Sequence, residues 1–239
     1  VGSVLDDLWE AEPFRHEKIA ATKAELAARR LTICSLETSV SFSNPETRLK
    51  MLALGRSQLE LAAELGVKRI RVFGDKVPPG QHKEEVMQRI AEGLRELATF
   101  ADPLEIDVLL ETHGHFCRGR EVRRIVEMAA HPRVGVVWDV HHSFRADETP
   151  AETYGELKDY LRSIHFKDSK TKTSATSHIY CLLGQGEVPI RECLRLLKKG
   201  GYTGWIVFEW EKRWHPEIDD PEIAFPHFIR EIRRYLADL

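Results

Sequence analysis

The stretch VGVVWDVHH, residues 134–142, decides the fold prediction, because an apolar run ends abruptly in Asp139 and two histidines. A run of valines and a tryptophan without polar alternation is typical of a parallel strand that is covered on both faces. The polar residues would then follow at the carboxyl end of that strand. The stretch therefore predicts a buried strand with a charged group at its carboxyl end.

The same pattern recurs along the chain, with amphipathic stretches between the apolar runs. The predicted strands are residues 31–36, 69–73, 107–111, 134–139, 163–166 and 205–209. The predicted helices are residues 14–30, 45–65, 84–100, 120–130, 150–161, 190–199 and 221–236. This alternation indicates an α/β protein with a parallel sheet.

We expect an (β/α)₈ TIM barrel that forms one domain over residues 1–239, because 239 residues without an internal linker suit a single barrel. An open doubly wound sheet is the alternative, but the sequence lacks its G-x-G-x-x-G turn. The sequence begins at Val1 in what reads as a loop. We therefore expect that the first strand, first helix and second strand of the barrel are absent from it.

Composition points to small-molecule chemistry. Lys plus Arg number 35 and Asp plus Glu number 38, so the net charge of -3 gives no reason to expect nucleic acid or an anionic membrane as a partner. No run of about 18 apolar residues predicts a membrane span. The four cysteines show no C-x-x-C spacing and are interpreted as free thiols, which places the protein in the cytoplasm.

Four predicted strands end in a carboxylate or an imidazole, namely Glu111, Asp139, His165 and Glu209. In a barrel these side chains would face one another at the catalytic end, where three close carboxylates repel unless a cation neutralises them. Three oxygen ligands and one nitrogen ligand predict one divalent metal ion, which could be Mn²⁺, Mg²⁺, Co²⁺ or Zn²⁺.

Residues near these ends are candidates for contact with a substrate. Because side chains alternate along a strand, His113, Lys167 and Glu211 point the same way as the predicted ligands. The segment Gly184-Gln185-Gly186 resembles a phosphate-binding loop but is interpreted as a plain turn. The histidines predicted to lie on the surface are His16, His82, His131, His215 and His227.

The ordered motifs LETH, WDVHH, IHFKD, GQGEVP and FEWEKRW resemble the xylose isomerase-like barrel superfamily, in its sugar (phosphate) isomerase/epimerase branch. The resemblance implies that Glu111, Asp139, His165 and Glu209 bind one metal ion, and that His142 contacts substrate hydroxyls. Two features depart from the ketose 3-epimerases of that superfamily. Cys117 stands where those enzymes have a second glutamate, and their substrate-binding arginine has no obvious counterpart.

The predicted activity is that of a metal-dependent isomerase or epimerase, which moves a proton next to a carbonyl through an enediolate. Glu111 and Glu209 are the predicted catalytic acid and base, in either order. His113, His142 and Lys167 are the predicted substrate-binding residues. The substrate is expected to be a small sugar or cyclitol, and a homodimer is left open.

Three other functions remain open at this point. The first is a metal-dependent dehydratase of a keto-cyclitol or dehydroshikimate-like substrate, which shares the enolate but expels a hydroxyl group. The second is an apurinic-site endonuclease, although the expected additional His and Asp ligands for three zinc ions are not apparent. The third is a barrel that binds a sugar without turnover.

Overall fold

A computed structural model describes residues 7–171 and 178–239. Six parallel strands form one sheet in the order β1-β2-β3-β4-β5-β8. The strands are β1 (Leu36–Ser41), β2 (Arg69–Phe73), β3 (Asp107–Glu111), β4 (Val134–Asp139), β5 (Leu161–Phe166) and β8 (Trp205–Phe208). A separate antiparallel pair consists of β6 (Asp168–Thr171) and β7 (His178–Cys181).

Helices connect the parallel strands and cover the outer side of the sheet. They are α1 (Ile19–Ala28), α2 (Arg48–Leu65), α3 (Lys83–Ala101), α4 (Gly119–Ala129), α5 (Val140–Arg145), α6 (Pro150–Leu157), α7 (Ile190–Lys199) and α8 (Pro221–Ala237). α2 packs on β1, α3 on β3 and α4 on β4. The sequence-based prediction of an α/β fold with parallel strands is confirmed.

Local sequence explains where several helices begin and end. α2 ends at Gly66, which takes the left-handed conformation at φ 76°, where glycine has no steric penalty. α6 begins with a capping box, in which the Thr149 hydroxyl accepts from the Glu152 backbone and the Glu152 carboxylate accepts from the Thr149 backbone. These residues explain where α2 ends and where α6 begins.

The structure corrects several predicted boundaries. The first strand begins at Leu36, whereas the predicted strand covered residues 31–36. The helix predicted over residues 14–30 is shortened to α1, and 3₁₀ turns precede it at Leu8–Glu10, Glu12–Phe14 and His16–Lys18. α5, β6 and β7 were not predicted, because short elements give little periodic signal.

The strand register brings the carboxyl ends of the strands to one edge of the sheet. Glu111 pairs with Val137, Asp139 pairs with His165, and His165 pairs with Val207, two residues before Glu209. Side chains of neighbouring strands at the same level point to the same face. This register places the predicted ligands side by side. Within the described residues, the structure has no helix that is long and apolar enough to cross a membrane.

Candidate metal centre

Four side chains meet where β3, β4, β5 and β8 end. Glu111 and Asp139 are the last residues of β3 and β4, His165 lies near the end of β5, and Glu209 follows β8 directly. One ligand atom from each side chain can be chosen so that all four lie within 4.8 Å of one another. Since ligands lie roughly 2 to 2.6 Å from a divalent ion, this spacing suits one shared ion.

The hydrogen-bonding state of these atoms fits a bound cation. Glu111 Oε2 and both ring nitrogens of His165 are buried, and within the described parts of the chain no hydrogen-bond partner satisfies them. Buried polar atoms are normally satisfied, so such a cluster calls for a ligand. Carboxylate oxygens and imidazole nitrogens are also donors that divalent ions of the first transition row accept.

Asp139 is held by the start of α5. Its Oδ1 accepts from the backbone N–H groups of His141 at 2.9 Å and His142 at 3.2 Å, which caps the helix. Its Oδ2 lies 2.8 Å from Lys167 Nζ. The helix cap thus fixes one oxygen and leaves the other directed at the cluster.

Lys167 is the cation at the centre of this acidic cluster. Its side chain is only 1% exposed, and its Nζ lies 2.5 Å from Glu209 Oε2 and 3.0 Å from Glu211 Oε1 in addition to its contact with Asp139. Burial opposes the charged form, but these three carboxylates raise the pKa of Lys167 well above its usual value. The ammonium therefore balances part of the negative charge of the site.

Burial changes the proton affinities of the predicted ligands. It raises the pKa of Glu111 to about 8, although nearby Arg71 opposes the rise, and it raises the pKa of Asp139 to about 6 against the attraction of Lys167. Burial would lower the pKa of His165, but the surrounding carboxylates, Glu37 first among them, raise it to about 9. A cation that binds here must displace protons.

Two histidines stand beside the cluster. The rings of His113 and His142 meet edge to face with their centroids 4.5 Å apart. Burial and the charge of Lys167 lower the pKa of His113 to about 4 and that of His142 well below its usual value. Both imidazoles are therefore neutral at pH 7, and each can donate or accept a hydrogen bond.

A cavity of about 600 Å³ opens above these groups. Glu111, His165, Glu209, His113, His142, Lys167 and Glu211 line its floor, and the lining also contains the aromatic residues Phe73, Phe208, Trp210, Trp214 and Phe225. A floor of charged and hydrogen-bonding groups beside aromatic walls can hold a small polar molecule that also has an apolar face.

Glu37 and Arg71 belong to the same cavity and were missed by sequence reasoning. Arg71 Nε donates to Glu37 Oε2 at 2.8 Å and lies 3.1 Å from Glu111 Oε2. Arg71 could have been identified, because an arginine inside an apolar strand is unusual and calls for a partner. Glu37 also carried the signal used for the other residues, because it directly follows the strand predicted over residues 31–36.

The glycine segment after β7 is bound by the protein's own carboxylate. Asp168 Oδ2 accepts from the backbone N–H groups of Gly184 at 2.8 Å and Gly186 at 3.0 Å. A Cβ atom at Gly186 would lie 2.1 Å from Asp168 Oδ1, so only glycine fits there. These donors are used internally, which agrees with the interpretation of the segment as a turn.

The histidines predicted to lie on the surface divide into two groups. His16 and His82 are exposed, whereas the other three are partly buried. The His215 ring lies 4.8 Å from the Tyr180 ring, and His227 Nε2 lies 2.9 Å from the Leu183 carbonyl oxygen. His215 therefore helps to pack the loop after β8 against β7.

A sequence profile described as xylose isomerase-like TIM barrel matches residues 4–233. The chain belongs to this family. The match covers nearly all of the chain, including every strand of the sheet and all four residues of the candidate metal centre. It confirms the resemblance that the motifs after the strands suggested.

Characterised relatives include both dehydratases and epimerases. The chain is 25% identical over 244 residues to an inosose dehydratase of Lacticaseibacillus casei, covering 93% of this chain and 76% of the relative. It is 27% identical over 155 residues to a fructoselysine 3-epimerase of Escherichia coli O157:H7, and this match covers 63% of this chain and 54% of that relative.

The fold is also similar to that of a solved xylose isomerase-like TIM barrel protein from Mycobacterium smegmatis, which was crystallised in complex with magnesium. The TM-score is 0.66 with 21% identity, and the match covers 81% of this chain and 71% of that protein.

Proposed function

We propose that this protein is a metal-dependent enzyme that moves a proton next to the carbonyl group of a small sugar or cyclitol, as an isomerase or epimerase. The observation that carries the proposal is the meeting of Glu111, Asp139, His165 and Glu209 beside a cavity that three of them line, with buried atoms that lack hydrogen-bond partners among the described residues. The relatives that act on sugars and cyclitols by name support the substrate class.

The four side chains would hold one divalent ion. When bound, this ion would act as a Lewis acid at the substrate carbonyl and stabilise the negative charge of an enediolate. Mn²⁺, Mg²⁺, Co²⁺ and Zn²⁺ are all compatible with three carboxylates and one imidazole, and the magnesium complex of the similar barrel supports a hard ion.

Glu209 is the better candidate for the group that takes the proton from carbon. Its side chain is 29% exposed towards the cavity, whereas that of Glu111 is 1% exposed. Glu111 stands at the other end of the ligand row, on β3 rather than after β8. In epimerisation Glu111 would deliver a proton of its own to the opposite face, Glu209 would keep the proton that it took, and both carboxyl groups would then exchange with solvent. In aldose-ketose exchange the proton would go to the neighbouring carbon.

The neutral imidazoles of His113 and His142 would bind substrate hydroxyl groups. Lys167 would hold Glu209 and Asp139 in place through its ion pairs and reach the substrate oxygen from the cavity floor. The charge of its ammonium would oppose the build-up of negative charge on that oxygen.

A dehydratase is the second candidate, because the relative that covers 93% of this chain is an inosose dehydratase. The same proton abstraction would come first, and the enolate would then expel a hydroxyl group from the next carbon as water. One of the groups beside the cavity would have to protonate that leaving hydroxyl. The two candidates therefore share the metal, the base and the substrate class but differ in the product.

Product analysis of a panel of keto sugars and keto-cyclitols in D₂O, with each of the four metals, tests both candidates. Deuterium in the substrate or its epimer without loss of water supports the isomerase, and a new enone absorbance in the ultraviolet supports the dehydratase. Glu209→Gln should abolish either signal, whereas Glu60→Gln on the exposed side of α2 should not. Cleavage of abasic DNA, or no reaction with any substrate, would contradict the proposal.

A further inference from the structure

Glu37 and Arg71 form a buried ion pair next to the candidate metal centre. They are direct neighbours in the register between β1 and β2, and their side chains are 12% and 9% exposed. We infer that Glu37 is a positioning residue, which accepts the hydrogen bond that Arg71 Nε would otherwise give to Glu111 and orients His165 for the ion. This inference rests on the proposed metal centre and assigns a task to two residues outside the ligand set.

The hydrogen bond from Arg71 goes to Glu37 and not to the ligand. Arg71 Nε donates to Glu37 Oε2 at 2.8 Å, whereas Glu111 Oε2, 3.1 Å from the same nitrogen, accepts no hydrogen bond from any residue that the structure describes. The guanidinium thus lowers the electrostatic cost of burying Glu111 without engaging the oxygen that would bind the ion. Without Glu37, Arg71 would be free to donate to that oxygen.

Glu37 also faces the far side of the His165 ring. His165 Nδ1 lies 3.6 Å from Glu209 Oε2, and Nε2 lies 3.9 Å from Glu37 Oε1. The nitrogen beside Glu209 is therefore the one turned to the other ligands. Metal-binding histidines commonly give their second N–H to a carboxylate, which fixes the tautomer and the ring orientation. Glu37 is the carboxylate that faces Nε2, and at 3.9 Å it must move closer to accept that N–H when the ion is bound.

Arg71 also bears on how many ions the site holds. Its guanidinium lies between Glu37 and Glu111, two carboxylates that would otherwise repel each other in a buried place. An arginine is always charged, so this position is already occupied by a fixed cation. The geometry therefore suits one divalent ion per chain and leaves no need for a second ion at Glu37.

Titration of the metal-free protein with Mn²⁺ alone, followed by calorimetry, tests the inference without any substrate. We expect one ion per chain, and we expect Glu37→Gln to bind it about 10- to 100-fold more weakly. Glu37→Asp keeps the charge but is one methylene shorter, so its loss should be intermediate. Glu121→Gln is the matched control, because Glu121 lies on α4 outside the cavity and the change breaks its ion pair with Lys83 on α3.

A second readout separates positioning from general damage to the fold. In Mg²⁺-loaded protein labelled with ¹⁵N at histidine, His165 Nε2 should carry the proton, and Glu37→Gln should change that signal. If Glu37→Gln and Glu37→Asp both bind Mn²⁺ with an affinity within about twofold of that of the unaltered protein, the inference is wrong. The proposed metal centre would not be affected by that result. An unaltered protein that binds no Mn²⁺ would overturn the proposed function as well.

Discussion

Two buried aspartates, Asp139 and Asp168, show how differently the same side chain can be used. Asp168 accepts four backbone hydrogen bonds, two on each oxygen, from Ser169, Gly184, Gly186 and Val188. In Asp139, one oxygen caps α5 and the other points to a cluster of carboxylates and a lysine. Both lie at the ends of strands and both are about equally hidden from solvent.

This difference distinguishes a buried charge that stabilises the fold from one that belongs to a candidate metal site. A carboxylate with all its lone pairs engaged by backbone N–H groups is already compensated and fixes a loop. A carboxylate that shares its space with other carboxylates is compensated only when a cation is present. The sequence motif I-H-F-K-D serves both purposes. Its Lys167 faces the cluster of carboxylates, and its Asp168 faces the loop.

The largest effect should come from removing the proposed base. Glu209→Gln keeps the size of the side chain but cannot accept a proton, so the turnover number should fall by at least about 10²-fold. Glu187→Gln is the matched change in the loop region, where Glu187 accepts from Thr171, and it should leave turnover unchanged. Equal losses of turnover in both variants would contradict the distinction between the metal centre and the glycine loop.

Exchanging the two aspartates for asparagine should separate metal binding from stability. Asp139→Asn removes a proposed ligand, and its cost in Mn²⁺ affinity should exceed the 10- to 100-fold cost known for outer-shell partners. Asp168→Asn turns an amide NH₂ towards backbone donors, so it should lower the free energy of unfolding by about 1 to 3 kcal/mol. Calorimetry and urea unfolding of both variants check this. If Asp168→Asn impaired metal binding as strongly as Asp139→Asn, the comparison would fail.

The pH dependence of metal binding should reveal the protons held by the cluster. With pKa values of about 9 for His165 and 8 for Glu111, both groups hold protons at pH 7 in the metal-free protein. An ion must displace them, so affinity should rise from pH 6 to pH 9, with release of about two protons at pH 7. Calorimetry in buffers of different ionisation enthalpy counts the protons. An affinity that does not change with pH would contradict these pKa shifts.

The smallest effect should come from the loop glycine. In Gly186→Ala the new Cβ would meet Asp168 Oδ1, and the loop must move to relieve the clash. We expect a loss of about 1 to 3 kcal/mol in the free energy of unfolding, as for other overpacked sites. Turnover per folded molecule should not change. A loss of turnover without a loss of stability would show that the loop contributes to the site.

The strand-end residues could be predicted because each lies at or just after the carboxyl end of an apolar run. Glu111, Asp139, His165 and Glu209 stand out against such runs, and parallel strands bring their ends together. The place of Glu37 inside β1, rather than after a strand, could not be predicted in the same way. Residues 31–36 are more apolar than β1 itself, whose polar residues include Glu37 and Thr38, so the pattern favoured the wrong segment.

Pairings between side chains also lie beyond what the sequence predicts. The three ion pairs of Lys167 depend on residues 28 to 44 positions away, and nothing local predicts that Asp168 would turn to the glycine loop. The short helix α5 was not predicted, because six residues give too little periodicity to show a helix.

The most direct test of the central claim is the anomalous scattering of Mn²⁺ in a crystal of the protein. We predict one peak per chain with oxygen or nitrogen atoms of Glu111, Asp139, His165 and Glu209 within about 2.6 Å of it. No peak at that position, or a peak that only one of the four side chains approaches, would contradict the claim that these strand ends form a metal centre.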